Sequence, residues 1–220
     1  DYLFKPKNKN QLIEFLKEDI FILYSLKARW LNCLLSVLLT ASGICIAFLI
    51  TQLGNHVQER LSKDGKGIDI GYGGDPITNN CDTWDIENGD AHYINKFISK
   101  KFNYIYSSHL LEHLENPQLA LTNWWKILDN NGFLILYVPD RDLYEKKKKL
   151  PSRFSLDHKY FFTINEDDPP DTLGLTSLID KCISNYQIVY AKVCSEGCTI
   201  KDPNIHSNGE YSIEMVIKKN

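Results

Sequence analysis

The stretch Lys66-Gly67-Ile68-Asp69-Ile70-Gly71-Tyr72-Gly73-Gly74-Asp75-Pro76 joins a short apolar run, an acid and a glycine-rich turn. In an α/β protein this pattern marks the end of a first parallel strand, where glycines let the backbone bend and a nucleotide-like ligand approach. Asp69 can accept hydrogen bonds there, directly or through water. The spacing is Asp-x-Gly-x-Gly, and Pro76 stands where a dinucleotide fold would carry its third glycine. Hydride transfer with a nicotinamide cofactor is therefore the weaker reading. A plain glycine-rich turn is the structural alternative.

Asp85 follows Asp69 by sixteen residues and closes a second strand candidate. A carboxylate in that place can accept both hydroxyls of a ribose. Asp90, in the loop that follows, can accept from an adenine amino group. The bland alternative makes Asp85, Glu87 and Asp90 ordinary turn acids. The order of glycine loop, strand-end acid and loop acid favours the ligand reading.

Phe102–Tyr106 reads as a strand that delivers Ser107, Ser108 and His109 to the same crevice. His109-Leu-Leu-Glu112-His113 also matches the His-x-x-Glu-His pattern of some zinc peptidases. Those motifs sit within long helices, whereas this one directly follows a buried-looking strand, so no metal is expected. His109 is assigned to the site, and Glu112 and His113 to capping or packing. A later block, Tyr137-Val138-Pro139-Asp140, opens where another strand ends. Tyr137 and Asp140 are candidate acceptor contacts. Arg153 can grip a carboxylate or phosphate in two-pronged fashion. His158, beside Asp157, is a candidate base near neutral pH, as is His109. A purely structural loop is the competing reading of this block.

The elements that must position these residues read as α/β. Strand candidates are 67–70, 81–84, 102–107, 132–138, 186–194 and 210–218. Helical candidates are 91–100, 116–128 and 175–183. Their alternation predicts a Rossmann-like, mostly parallel sheet with helices on both faces. Asn130-Asn131-Gly132 is a turn signal before the fourth strand. The last two strands, joined without a helix, are expected to pair antiparallel at a sheet edge.

The 220 residues suffice for one well-cored domain. A net charge of −3 supplies no basic field for nucleic acid. The six cysteines form no Cys-x-x-Cys pair, which argues against structural zinc and, with no signal peptide, for a reducing intracellular setting. Residues 1–64 form an expected helical arm, and 65–220 the catalytic-type domain. Within the arm, Leu31 to Ile50 carries no charge over twenty positions, near the ~20 apolar residues that span a bilayer. Lys17, Lys27 and Arg29 before it balance Arg60, Lys63 and Lys66 after it, so no orientation emerges. A membrane segment, a buried helix and a dimer interface all remain open for 31–50. The expected location is cytoplasmic, with membrane association through that segment as one of the open readings.

Together these pieces resemble the class I S-adenosylmethionine-dependent methyltransferases. Asp69-Ile70-Gly71-Tyr72-Gly73-Gly74 looks like their first motif, Asp85 like the ribose-binding acid, and Gly89-Asp90-Ala91 like the adenine-side motif. Ser107–Leu114 is similar to the stretch after the fourth strand in a bacterial-type small-molecule subgroup. Asn116-Pro117, Trp124-Trp125-Lys126-Ile127-Leu128 and Asn131-Gly132-Phe133-Leu134 resemble its next helix and strand. Asn103 and Asn131 depart from the residues common there, away from the expected cofactor contacts. The resemblance covers residues 65 to about 163 and implies S-adenosylmethionine held by Asp69, Gly71, Gly73, Asp85, Asp90, Ala91 and Ser107. It also implies methyl transfer to a small polar acceptor, such as a sugar or glycan precursor. A non-catalytic Rossmann-like binding module or a membrane-anchored scaffold is the alternative.

Overall fold

The computed structural model describes residues 66–220. The arm 1–64 and the apolar stretch 31–50 lie outside the described residues. Among those described, no helix is long and apolar enough to cross a membrane.

Strands β1 (Gly67–Ile70), β2 (Asp82–Trp84), β3 (Phe102–Ser108), β4 (Leu128–Pro139), β7 (Tyr186–Cys194) and β8 (Ser212–Lys219) form one sheet, in the order β2-β1-β3-β4-β8-β7. β2, β1, β3 and β4 run parallel. β8 runs against both β4 and β7, so the last two strands pair antiparallel at the sheet edge with β7 outermost. Two short strands between β4 and β7 in the chain, β5 (Phe161–Thr163) and β6 (Thr172–Gly174), form a separate parallel pair.

Side chains alternate across each strand, so register assigns the faces. Ile68, Ile105, Leu134 and Ile217 align on one face, followed by Ile70, Ser107, Leu136 and Met215. Against it pack helix α1 (Pro117–Ile127), through Leu121, Trp124 and Ile127, and helix α2 (Leu175–Cys182), through Leu175, Leu178 and Ile179. Asn116 caps α1 by accepting from Leu119 N at 2.9 Å, and Pro117 fills the first helical position, where no amide is needed. The expected helix over 91–100 is a tighter 3₁₀ segment, Ala91–Lys96, interrupted at Tyr93. The turn signal before β4 appears as Asn131 at φ 60°, inside a strand that is continuous from Leu128. There the pairing slips from Phe102↔Leu128 to Tyr104↔Phe133. The carboxyl ends of β1 to β4 thus lie side by side, and residues 71–81 connect β1 to β2 without a helix.

Candidate functional site

Buried Asp69 shapes the glycine loop from below, its Oδ2 accepting from Ile77 N at 2.7 Å. Gly71 sits at φ 78° and donates its amide to Trp84 O at 2.7 Å, extending the β1–β2 pairing by one step. A Cβ on Gly71 would lie 2.9 Å from the Leu110 side chain, so only glycine lets this loop pass the segment after β3. Gly73, at φ 58°, donates its amide to Asp85 Oδ2 at 3.0 Å. Nothing lies within 4 Å of the place where its Cβ would be. The glycine loop and the end of β2 are therefore joined directly. Asp85 Oδ1 accepts from Ile86 N at 2.8 Å. The Ile86 side chain itself is 77% exposed, an apolar face beside the acid that sequence reasoning passed over.

Asp90 caps the 3₁₀ segment through His92 N at 2.9 Å. Its slight burial opposes ionisation, but the backbone and side-chain hydrogen bonds from His92 outweigh that and hold the carboxyl below its ordinary value. The His92 tautomer follows from its partners. Asn116 N donates to Nε2 at 3.1 Å, so the proton sits on Nδ1, 2.6 Å from Asp90 Oδ1. Ala91 O accepts from Trp124 Nε1 at 2.9 Å, which fixes this rim to α1. Asp90 and Ala91 thus lie in the turn that follows β2, and Gly71, Gly73 and Asp85 form the edge at the carboxyl ends of β1 and β2, above buried Asp69. Ser107 is buried beneath that edge and donates to Ile70 O at 3.0 Å, tying β3 to β1.

Beyond β3 the chain turns at His109, whose φ is 50°. No long helix carries the His-x-x-Glu-His stretch; only Leu111–His113 makes a single 3₁₀ turn. The His109 ring is one-third exposed and lies between Tyr137 and Tyr211, with centroids 5.7 and 6.0 Å away. Its Nε2 is 3.1 Å from Ser212 Oγ, and its Nδ1 is 3.4 Å from Glu112 Oε1. Tyr137 donates its hydroxyl to Glu210. Asp140 Oδ1 accepts from the amides of Asp142 and Leu143, both at 3.0 Å, and so caps the turn Arg141–Glu145. Arg141, which sequence reasoning did not single out, is buried between Asp142 and Glu166.

His158 is buried, but its carboxylate partner is not its neighbour Asp157. Its Nδ1 lies 2.9 Å from Glu145 Oε1, and its ring stacks on Tyr144. Asp157 instead places Oδ2 at 2.8 Å from His113 Nδ1, close enough for an ion pair but without hydrogen-bond alignment. Residues adjacent in a turn project apart, and the fold supplies each imidazole with a remote acid. Glu145 also accepts from Ser152 Oγ at 2.7 Å and from Arg153 N at 3.2 Å. The Arg153 guanidinium is exposed and donates to Asn204 Oδ1. Lys159 N donates to Glu112 O at 2.7 Å, strapping this loop across the 111–113 turn.

A family model described as "Methyltransferase domain" matches residues 46–166. No curated protein matches the chain at a significant level. Among solved structures, a SAM-dependent methyltransferase from Archaeoglobus fulgidus aligns over 78% of this chain and 94% of its own, with 12% identity and a TM-score of 0.45. An S-adenosylmethionine-dependent methyltransferase from Clostridium acetobutylicum aligns over 80% and 99%, with 9% identity and a TM-score of 0.44.

Proposed function

The chain belongs to the methyltransferase-domain family, as a class I enzyme that uses S-adenosylmethionine, and on that premise we propose that it methylates an oxygen or nitrogen of a small polar acceptor. The observation that carries the assignment of the cofactor edge is the bond from Gly73 N to Asp85 Oδ2, which brings the glycine loop and the strand-end acid together. Each Asp85 oxygen accepts one amide and keeps a lone pair for a ribose hydroxyl. Ile86 offers an apolar face to a purine, and Asp90 an acceptor at its far side. The open space at Gly73 leaves room for the amino-acid portion of the cofactor. When bound, S-adenosylmethionine supplies an already activated methyl group.

What remains for the protein is alignment of the acceptor and removal of its proton. His109 is the base in this reading, because it is partly exposed at the middle of the carboxyl edge and held by Ser212. His158 is the second imidazole, more deeply buried and fixed by Glu145. Arg153 and Tyr137 flank the acceptor side, and Arg153 suits an acidic or phosphorylated compound such as a sugar or glycan precursor.

Calorimetric titration with S-adenosylhomocysteine tests this reading. We expect micromolar binding, weakened at least tenfold in Asp85→Ala. Absence of binding by folded protein would overturn the proposal. Binding without turnover on any small polar acceptor would instead identify a non-catalytic module.

A further inference from the structure

We propose that Glu112, His113 and His158 bind a divalent transition-metal ion beside the acceptor side of the crevice. The inference needs no cofactor, and it makes His158 a ligand, leaving His109 as the base of the methyl-transfer reading. One ligand atom from each residue falls within 4.8 Å of the others. Around an ion with bonds of about 2.1 Å, tetrahedral ligands stand about 3.4 Å apart, so modest rotation of the side chains closes the set.

A second observation points to a cation. Glu112 is 1% exposed, and neither carboxylate oxygen has a hydrogen-bond partner. The imidazoles His109 and His113 lie 3.4 and 3.9 Å from its Oε1. A buried carboxylate without hydrogen bonds is costly unless a positive charge meets it.

The orientation of the two histidines agrees. His158 turns Nδ1 to Glu145, and His113 turns Nδ1 to Asp157, while His113 Nε2 is the atom nearer Glu112. His158 thus has a hydrogen-bonded carboxylate behind it, as in carboxylate–histidine–metal arrangements, and His113 a carboxylate at ion-pair distance, while each keeps its other nitrogen for coordination. The rings meet edge to face at a centroid distance of 4.8 Å. Two imidazoles and one carboxylate favour zinc, iron, cobalt or manganese over calcium or magnesium, which prefer oxygen ligands. Three protein ligands leave a position open to water or to an oxygen of another ligand. His109, against the same carboxylate, is the nearest additional donor.

The competing occupant is a proton, which would make His113 or His158 cationic and satisfy Glu112 without metal. Cobalt(II) separates the two. The full chain, freed of metal with a chelator, is titrated with Co²⁺ and followed by calorimetry and visible absorption. We expect one equivalent to bind, with ligand-field bands and no thiolate charge-transfer band. His113→Ala and His158→Ala should each weaken binding about 100-fold. Asp157→Asn, on an exposed side chain and therefore safe for folding, should weaken it about 10-fold. No stoichiometric binding by folded protein, a thiolate band, or affinity unchanged in both histidine variants would overturn the proposal. S-adenosylhomocysteine binding measured on the same metal-free sample keeps the two readings apart. Cofactor binding without Co²⁺ binding removes the metal site alone, and the reverse removes the cofactor edge alone.

Discussion

At Asp85 one carboxylate bonds the loops on either side of it, so its removal acts twice. The Ala variant loses hydrogen bonds from a charged group to the ligand, worth about 1.5–3 kcal/mol, or about 10- to 150-fold in affinity. It also releases Gly73 N. The two effects separate in a denaturant titration, because only the second lowers the stability of the unliganded chain. Gly71 carries a different load. Alanine there meets Leu110 at 2.9 Å and must hold φ near 78°. Gly71→Ala is expected to destabilise the chain by about 1–3 kcal/mol, read as a lower urea midpoint at unchanged slope. A neutral result would mean that the loop relaxes freely and does not define the crevice.

The elements place these residues through their ends. Each parallel strand stops where its functional side chain begins, and the connection that follows is pinned by a cap or a carboxylate. The start of α2, where Gly174 N donates to Asp167 Oδ1 at 2.7 Å, shows how such pinning depends on pH. Hydrogen bonds from the Ser177 side chain, then from Gly174 N, and the nearby Lys181 hold Asp167 below its ordinary value of 3.8. A carboxyl with a depressed folded value stabilises the fold above its unfolded value, and that contribution is lost as pH falls through the folded one. Urea midpoints measured from about pH 5 to about pH 2 should therefore fall less steeply for Asp167→Asn than for the parent. Equal slopes would mean that these bonds persist when Asp167 is protonated. Several elements were legible in advance for local reasons. Apolar runs located β1, β3 and β7 closely, with Gly71 closing the first and Asn185 preceding the last, and Asn116-Pro117 marked the start of α1. The pair β5 and β6 was not legible, because three-residue strands carry too little periodicity.

For the whole molecule, cofactor binding and folding are linked. A ligand that binds only the native state, present at a hundredfold its Kd, adds about 2.7 kcal/mol. For a chain of this size each kcal/mol raises Tm by about 2–4 °C. S-adenosylhomocysteine is therefore expected to raise Tm by roughly 5–10 °C, and by clearly less in Asp85→Ala. No shift would contradict a preformed cofactor edge. The residue pattern by itself determined the parallel α/β sheet, the glycine turn and the acids at the ends of β1 and β2. These are local consequences of chain chemistry: positive φ needs glycine, strands alternate, and acids sit where strands stop. Tertiary structure alone decided that β8 inserts between β4 and β7, and that His158 joins Glu112 and His113 from 45 positions along the chain. It also gave Asp157 to His113 and Glu145 to His158. Such pairings form only when distant segments close on one another, and the chemistry of sequence neighbours carries no record of that closure.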